Sequence, residues 1–227
     1  LALGALLAAM GLGERFPISI ESWVGKENQI NVWIGFLMIY AFIASVLPVW
    51  LLLQPRDYIN SHMLLLGLGA LILGICVTQP TIVAPALSPH PEGAPPWFPF
   101  LFLTIACGAI SGFHGLVSSG TTSKQVNTWK DARPIGYGGM LGEGLLALLA
   151  TLAVTAGFLD SEQWHHHYAN WNAANGLNAK IGAFVSGSSR FLGGIGISKS
   201  LGETLMGVLV ISFAATSLDT AARIQRY

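Results

Sequence analysis

Charge is scarce in this sequence. Its 227 residues include 11 Lys and Arg and 11 Asp and Glu, together 10% of the chain, whereas a soluble domain carries about 25%. So few charges do not cover the surface of a soluble particle of this size. The formal net charge of zero also excludes a basic nucleic-acid-binding platform and an acidic tail. The composition therefore predicts an integral membrane protein with no nucleic-acid partner.

Cysteine and the common catalytic motifs are also scarce or missing. The two cysteines, Cys76 and Cys107, both fall in apolar stretches, so buried thiols are expected instead of a disulfide scaffold. The sequence has no Walker loop, no GxSxG and no paired carboxylates at a usable spacing. The run His165–His167 has no ligand partners at metal-binding spacing, so a solvated loop is the default. We therefore expect neither an enzyme nor a metal or other cofactor.

Long apolar runs are what the sequence does contain. They lie near residues 1–12, 31–53, 63–79, 97–118, 135–159 and 202–219. A crossing needs about 20 apolar residues, so five runs predict full spans and the first predicts a partial one. Only helices or closed barrels satisfy their backbone in lipid, and we predict an all-α, multi-pass membrane protein. Residues 1–227 are treated as one transmembrane segment.

The first apolar run, residues 1–12, bears on whether this sequence is part of a longer protein. It begins without Met, and it reads as the inside of a helix. A signal peptide is the competing interpretation, but the run has no basic leading region. We therefore expect this chain to be an excerpt of a longer protein whose remaining helices are its partners.

The charges between the runs predict an orientation. If the segments after the second, fourth and sixth runs are cytoplasmic, they hold six basic residues, which the positive-inside rule favours: Arg56, Lys124, Lys130, Arg133, Arg223 and Arg226. The opposite side then includes the proline-rich connection 79–96 and the long polar stretch 160–201. We expect both to be extracytoplasmic, the second with a short surface helix around Asn172–Val185.

Polar residues recur along the fourth run at spacings of three and four. The recurrence places them on one helix face, and its members are Thr104, Cys107, Ser111, His114, Ser118 and Thr121. One interpretation is a packed helix whose hydroxyls bond their own preceding carbonyls. That interpretation explains His114 poorly, because an ionisable group within a span usually faces a cavity, a partner or a substrate path. We hypothesise a functional role for His114, with a packing histidine as the alternative.

The end of the same run is rich in small polar residues. Ser118, Ser119, Gly120, Thr121 and Thr122 offer the backbone alternatives to the helical ladder. Discontinuous helices in transporters expose carbonyls and amides to substrate and ions. The segment predicts either a discontinuous helix at 118–122 or an ordinary helix end.

A carboxylate lies deep in the fifth run. Glu143 is eight residues beyond Ile135, where a charge costs about 2.5–3.5 kcal/mol on insertion scales. We expect it to be neutral, paired or exposed to an aqueous cavity, and a bond to a neighbouring helix is as plausible as a functional role. His114 and Glu143 form our hypothetical proton-handling pair.

The last run carries a third polar face. Ser212, Thr216, Asp219 and Arg223 follow at spacings of four, three and four. Asp219 and Arg223 have the i, i+4 spacing of an intrahelical ion pair, and we predict that pair at the helix end. Asp219 is nonetheless retained among the candidate pathway residues.

Four segments together resemble the carbon starvation protein CstA family. They are VLPVWLLLQPRDY (46–58), FPFLFLTIACGAISGFHGLVSSGTTSK (98–124), IGYGGMLGE (135–143) and SLDTAARIQRY (217–227). The resemblance implies a multi-pass inner-membrane protein of bacteria or archaea, linked to nutrient starvation and grouped with cation-coupled secondary transporters. Members are associated with uptake of peptides or of pyruvate, and the present chain looks like the middle portion of a longer one.

The first functional hypothesis is therefore a proton- or sodium-coupled importer (a symporter) of peptides or pyruvate in the inner membrane. Its candidate substrate or ion pathway comprises Ser111, His114, Ser118, Ser119, Thr121, Thr122, Glu143 and Asp219. The alternative is a starvation sensor or membrane scaffold without a transport cycle.

Overall fold

The computed structural model describes residues 2–16, 25, 28–87, 92–110, 112–174 and 176–226. These residues are helical with loop connections, and none of them forms a strand. Four of the described helices are long and apolar enough to cross a membrane. Many of their large apolar side chains point outward, as Phe42 does at 71% exposure, which suits a lipid environment and not water. The predicted class, a multi-pass helical membrane protein, is confirmed.

The described helices follow one another along the chain. In order they are α1 Ala2–Arg15, α2 Gln29–Val46, α3 Val49–Thr78, α4 Trp97–Ala109, α5 Gly112–Val117, α6 Ser123–Gln125, α7 Trp129–Ala156, α8 Ser161–His167, α9 Leu177–Gly194 and α10 Lys199–Arg226, with a π-helical turn at Ser118–Thr122 between α5 and α6. The four candidate spans are α2, residues Gln54–Thr78 of α3, α7 and α10.

The bounds of helix α3 depart furthest from the spans that the apolar runs predict. The sequence predicts a polar connection between runs 31–53 and 63–79, but the structure continues as one helix from Val49 to Thr78. The interruption lies earlier, at Leu47 and Pro48, which separate α2 from α3. Arg56, predicted in a cytoplasmic connection, is therefore inside a helix. Its charge is satisfied there by side chains of other helices, which sequence patterning does not reveal.

The fourth run is also divided differently from the prediction. A single crossing over 97–118 is expected, but α4 ends at Ala109 and Ile110 leaves helical geometry (φ −131°, ψ 36°). The polar segment Ser118–Thr122 stays helical in π form, a local widening of the ladder that is frequent at functional sites. The outright break is thus at Ile110, and the irregularity at 118–122 is a π-helical turn.

The stretch 160–201 contains more helix than expected. Helix α8 is capped by Asp160, whose Oδ1 accepts a hydrogen bond from the Gln163 N–H at 2.7 Å, an N-cap interaction. Helix α9 runs over Leu177–Gly194 and buries Ala183, Gly187, Phe191 and Leu192. The predicted surface helix around Asn172–Val185 is therefore displaced toward the C-terminus, and one face of it is buried.

The described chain divides into two units, residues 1–69 with 200–227 and residues 70–199. In the first, α3 and α10 each contribute buried apolar side chains, among them Met63, Met206 and Leu209. In the second, α7 packs against α9. The proline-rich connection is non-helical where described, and the Val83 N–H donates to the Thr155 carbonyl at 3.0 Å, which ties that connection to the end of α7.

Candidate functional site

The polar face of α10 is buried in the first unit. Asp219 is 0% exposed and Arg223 is 2% exposed, so both are removed from solvent as well as from lipid. Ionised groups are almost never this buried unless they are paired. The pairing partners come from α2 and α3, and they define a buried polar cluster of Tyr40, Arg56, Asn60, Ser212, Thr216, Asp219 and Arg223.

Asp219 pairs with an arginine of another helix. Arg56 Nη1 of α3 donates to Asp219 Oδ2 and, at 3.0 Å, to the hydroxyl of Tyr40 on α2. The second η nitrogen of Arg56 lies 3.4 Å from Oδ1 of the half-exposed Asp57. The predicted intrahelical pair between Asp219 and Arg223 is therefore wrong. Asp219 turns toward α3, because Arg56 provides a partner there.

Arg223 binds backbone and not a carboxylate. Its Nη1 donates to the Leu47 carbonyl at 2.8 Å and its Nη2 to the Ala44 carbonyl at 2.7 Å. Both carbonyls belong to the C-terminal end of α2, where a helix has unsatisfied acceptors and a partial negative charge. Arg223 thus acts as a C-terminal cap supplied by a distant helix.

An amide bridge lies one turn from the ion pair. Asn60 Nδ2 of α3 donates to Thr216 Oγ1 at 2.9 Å, and Ser212 Oγ of α10 donates to Asn60 Oδ1 at 2.6 Å. Thr216 Oγ1 also donates to the Ser212 carbonyl at 2.9 Å. The predicted face of Ser212, Thr216, Asp219 and Arg223 is therefore a single surface that faces the other helices of its unit.

Not every polar atom of the buried polar cluster is satisfied. Asp219 Oδ1, Arg56 Nε and Arg223 Nε are buried and accept or donate no hydrogen bond within the described chain. A buried polar group left unpaired costs about 1–3 kcal/mol. The cluster therefore contains one unsatisfied acceptor and two unsatisfied donors within the described chain, and its one fully buried carboxylate pairs with Arg56.

The candidate pathway residues of the fourth run make different hydrogen bonds from those of the buried polar cluster. Ser118 Oγ and Ser119 Oγ donate to the carbonyls of Gly115 and Leu116 at 3.0 and 3.2 Å, and both residues are exposed. Thr122, half-buried, ends the π-helical turn. Ser111 lies outside the described residues, and the side chains of His114 and Thr121 do as well. The hydroxyls of Ser118 and Ser119 thus bond within their own turn, as the packed-helix interpretation predicts.

Glu143 is on the surface of this chain, near the middle of α7. The residue is exposed, and α7 is one of the candidate spans. Glycines flank it on both sides. A methyl group on Gly139, Gly142 or Gly144 would come within 4 Å of no atom of the described residues beyond its chain neighbours and the nearby backbone of α7. Its pairing with the His114 side chain, which is outside the described part of the chain, stays a prediction.

The three histidines close helix α8. His165, His166 and His167 form its last turn, where partial negative charge favours cations. Tyr168 follows, its ring 4.9 Å from that of Trp164, and burial raises the pKa of its phenol. Among the described residues, no group of three or more His, Cys, Asp or Glu side chains is arranged to hold a metal ion.

Three members of the buried polar cluster were not predicted from the sequence. Tyr40 is a lone tyrosine in an apolar run, and Arg56 and Asn60 lie in a segment that the sequence predicts to be a connection. One signal was available, since Arg56 and Asn60 have the i, i+4 spacing of one helix face. That face matches the polar face of the last run, but only the structure brings the two together.

Comparisons with known proteins place the chain in a family. The model of the family described as carbon starvation protein CstA matches residues 1–177. The chain belongs to the CstA family. The matched range includes Arg56, His114 and Glu143 and ends before α10, and no solved structure matches the chain.

Curated relatives carry transporter names. A peptide transporter CstA of Mycobacterium tuberculosis is 39% identical over 212 residues, 87% of this chain and 26% of that protein. The peptide transporter CstA of Escherichia coli is 49% identical over 138 residues, 58% of this chain and 20% of its own length. The pyruvate/proton symporter BtsT of E. coli is 49% identical over 121 residues, 51% of this chain and 17% of the symporter. The chain thus spans about a quarter of the length of such relatives, or less.

Proposed function

We propose that this chain is part of a cation-coupled secondary transporter that imports peptides or pyruvate across the bacterial inner membrane during starvation. The names of the relatives support import of a small carboxylated nutrient. A proton is the preferred coupling ion because one relative is named a proton symporter, and sodium is the alternative. The cycle needs no prosthetic group.

The observation that carries the proposal is the position of Glu143. A carboxylate exposed on the middle of an apolar span is costly in lipid, by about 2.5–3.5 kcal/mol on insertion scales. Such residues face a bundle interior or a water-filled cavity, where they mark substrate and ion pathways. The open glycine surface around Glu143 allows another helix or a substrate to approach it closely.

Within this proposal the residues have separate roles. Glu143 takes up and releases the coupling proton, with His114 as its partner, and the π-helical turn Ser118–Thr122 presents hydroxyls to the substrate or ion together with Ser111. Asp219 is buried and engaged with Arg56, so its role is to fix helices and not to contact substrate. This division assigns chemistry to the second unit and scaffolding to the first.

The test is uptake by the full-length protein in proteoliposomes. Glu143→Gln removes the titrating group with little change in volume, and we expect it to abolish uptake driven by a pH gradient while membrane insertion persists. Glu162→Gln, in the first turn of α8, is the matched control and retains uptake. Undiminished pH-driven uptake by Glu143→Gln would contradict the coupling role.

The same vesicles separate transport from sensing. Labelled dipeptide and labelled pyruvate are offered in parallel, and accumulation of either above empty vesicles supports a transporter and identifies the preferred substrate class. Absence of both fluxes, with correctly inserted protein, would contradict the transport proposal and favour a starvation sensor or scaffold.

A further inference from the structure

The junction between α2 and α3 is set by a proline. Helix α2 ends at Val46, Leu47 is extended with φ −63° and ψ 148°, and Pro48 precedes the first residue of α3. A residue before proline is pushed out of helical geometry by contact with the proline ring, and Leu47 follows that rule. Pro48 therefore interrupts what would otherwise be one continuous helix.

The same proline removes a hydrogen-bond donor. In an uninterrupted helix the Ala44 carbonyl would accept from the backbone N–H of residue 48, but proline has none. The Leu47 carbonyl would accept from Leu51, whose N–H donates instead to the Pro48 carbonyl at 3.1 Å. Ala44 is 0% exposed, so water does not reach its carbonyl, which needs a donor from elsewhere in the chain. The carbonyl of the half-buried Leu47 also lacks its helical donor.

The two donors come from one guanidinium. Arg223 Nη2 reaches the Ala44 carbonyl at 2.7 Å and Nη1 reaches the Leu47 carbonyl at 2.8 Å. A guanidinium presents parallel N–H groups in a rigid fork, whereas an ammonium is a point donor. Its positive charge also suits the negative end of α2. The geometry matches the acceptors that Pro48 and the extended Leu47 leave open.

Helix α10 also binds α3, on the other side of the junction between α2 and α3. Asp219, one turn before Arg223, binds Arg56 near the start of α3. We propose that Arg223 is a positioning residue that replaces two backbone donors at this junction, the N–H that Pro48 lacks and the Leu51 N–H that bonds to the Pro48 carbonyl. Helix α10 thereby sets the angle between α2 and α3 through Arg223 on one side and Asp219 on the other. Only the consequence for uptake rests on the proposed transport function.

The inference predicts that Pro48 and Arg223 are energetically coupled. Arg223→Met keeps an unbranched chain of similar reach and removes both donors, and we expect it to raise the unfolding equilibrium constant of the full-length protein in detergent by about a hundredfold. Pro48→Ala returns an N–H to position 48 and permits a continuous helix. In that background the effect of Arg223→Met shrinks by about tenfold or more.

Controls distinguish this coupling from general damage. Arg226→Met, at an exposed position of the same helix end, has an effect that is the same with and without Pro48→Ala. If Arg223→Met alone fails to fold, recovery of folded protein in the Pro48→Ala, Arg223→Met double variant supports the proposal. Equal effects of Arg223→Met in both backgrounds, or a double variant that stays unfolded, would overturn it.

Uptake gives the second readout. Arg223→Lys supplies one point donor in place of the fork, so we expect it to lower the maximal uptake rate by about tenfold while the half-saturating substrate concentration stays nearly constant. A changed half-saturating concentration at constant maximal rate would place Arg223 at the substrate and overturn the positioning role. Because the unfolding cycle needs no substrate, it remains decisive even if no uptake is found and the transport proposal fails.

Discussion

The two units of the chain hold their helices together by different means. In the first, α10 is joined to α2 and α3 by an ion pair, an amide bridge and an arginine cap. In the second, α7 and α9 cross where Gly157 and Gly187 bring backbones into contact. Small residues and buried polar bonds are the two usual means of helix association in membranes. The difference teaches that a polar face predicts a polar contact only where another helix supplies complementary groups.

The largest expected effect comes from breaking the ion pair of the first unit. Asp219→Asn leaves Arg56 without its buried counter-charge, and loss of one partner of a buried pair costs about 3–5 kcal/mol of unfolding free energy. Unfolding of the full-length protein in detergent measures this change. A loss below about 1 kcal/mol would mean that the pair behaves as a surface contact.

Asp57 provides the matched control for this prediction. It contacts the same arginine at 3.4 Å but its side chain is 44% exposed, so Asp57→Asn should cost about 1 kcal/mol or less. Replacing both partners, as Arg56→Met with Asp219→Leu, should recover most of the stability because apolar pairs often substitute for buried ion pairs.

A smaller effect is expected at the glycine crossing of the second unit. Adding a methyl group at Gly187 would overlap the Ala153 carbonyl oxygen and approach Gly157 Cα to 3.3 Å. Gly187→Ala should therefore cost about 1–3 kcal/mol through overpacking, measured by the same unfolding assay.

Gly182 is the control on the same helix. Among the described residues, a methyl group there meets nothing within 4 Å beyond its chain neighbours and the nearby backbone of α9, so Gly182→Ala should stabilise α9 by about 0.5–1 kcal/mol. Equal effects at the two positions would contradict the assignment of the crossing to Gly187, and the second unit would then need another explanation for its packing.

The smallest effect is expected on the polar stripe of the second unit. Ser118 and Ser119 bond their own turn and are exposed, so Ser118→Ala and Ser119→Ala should each change the unfolding free energy by about 0.5 kcal/mol or less. Under the proposed function their effect appears in uptake instead. A stability loss as large as that of Asp219→Asn would erase the distinction between the two units.

The candidate sites were predictable to different degrees. The periodicity of the last run correctly placed Ser212, Thr216, Asp219 and Arg223 on one face, because helical geometry alone fixes which side chains are neighbours. The partner of Asp219 was predicted wrongly, since i, i+4 spacing favours Arg223 but does not exclude a better placed arginine. Arg56 lies 163 residues away in sequence, and no local pattern links residues at that separation.

The helix boundaries, like the candidate sites, are only partly predictable from local sequence. Pro48 fixes the end of α2 by local sterics, although the apolar run 31–53 across it predicts one span. The polar stretch around Arg56 resembled a connection, yet it continues α3 because Tyr40, Asp219 and Thr216 satisfy its polar groups. Tertiary contacts thus reversed a boundary that hydropathy alone had suggested.

The membrane environment, the helical class and the family can be read from the chain alone, since they follow from composition, from the need to satisfy backbone bonds in lipid and from contiguous motifs. Which polar faces are engaged depends on the packing of the helices. A buried charge is stabilised by groups within a few ångströms, and those groups come from helices distant in the chain. Polar residues spaced three or four apart therefore form a cross-helix cluster on α10, whereas at Ser118 and Ser119 the same spacing gives hydrogen bonds within the residues' own turn.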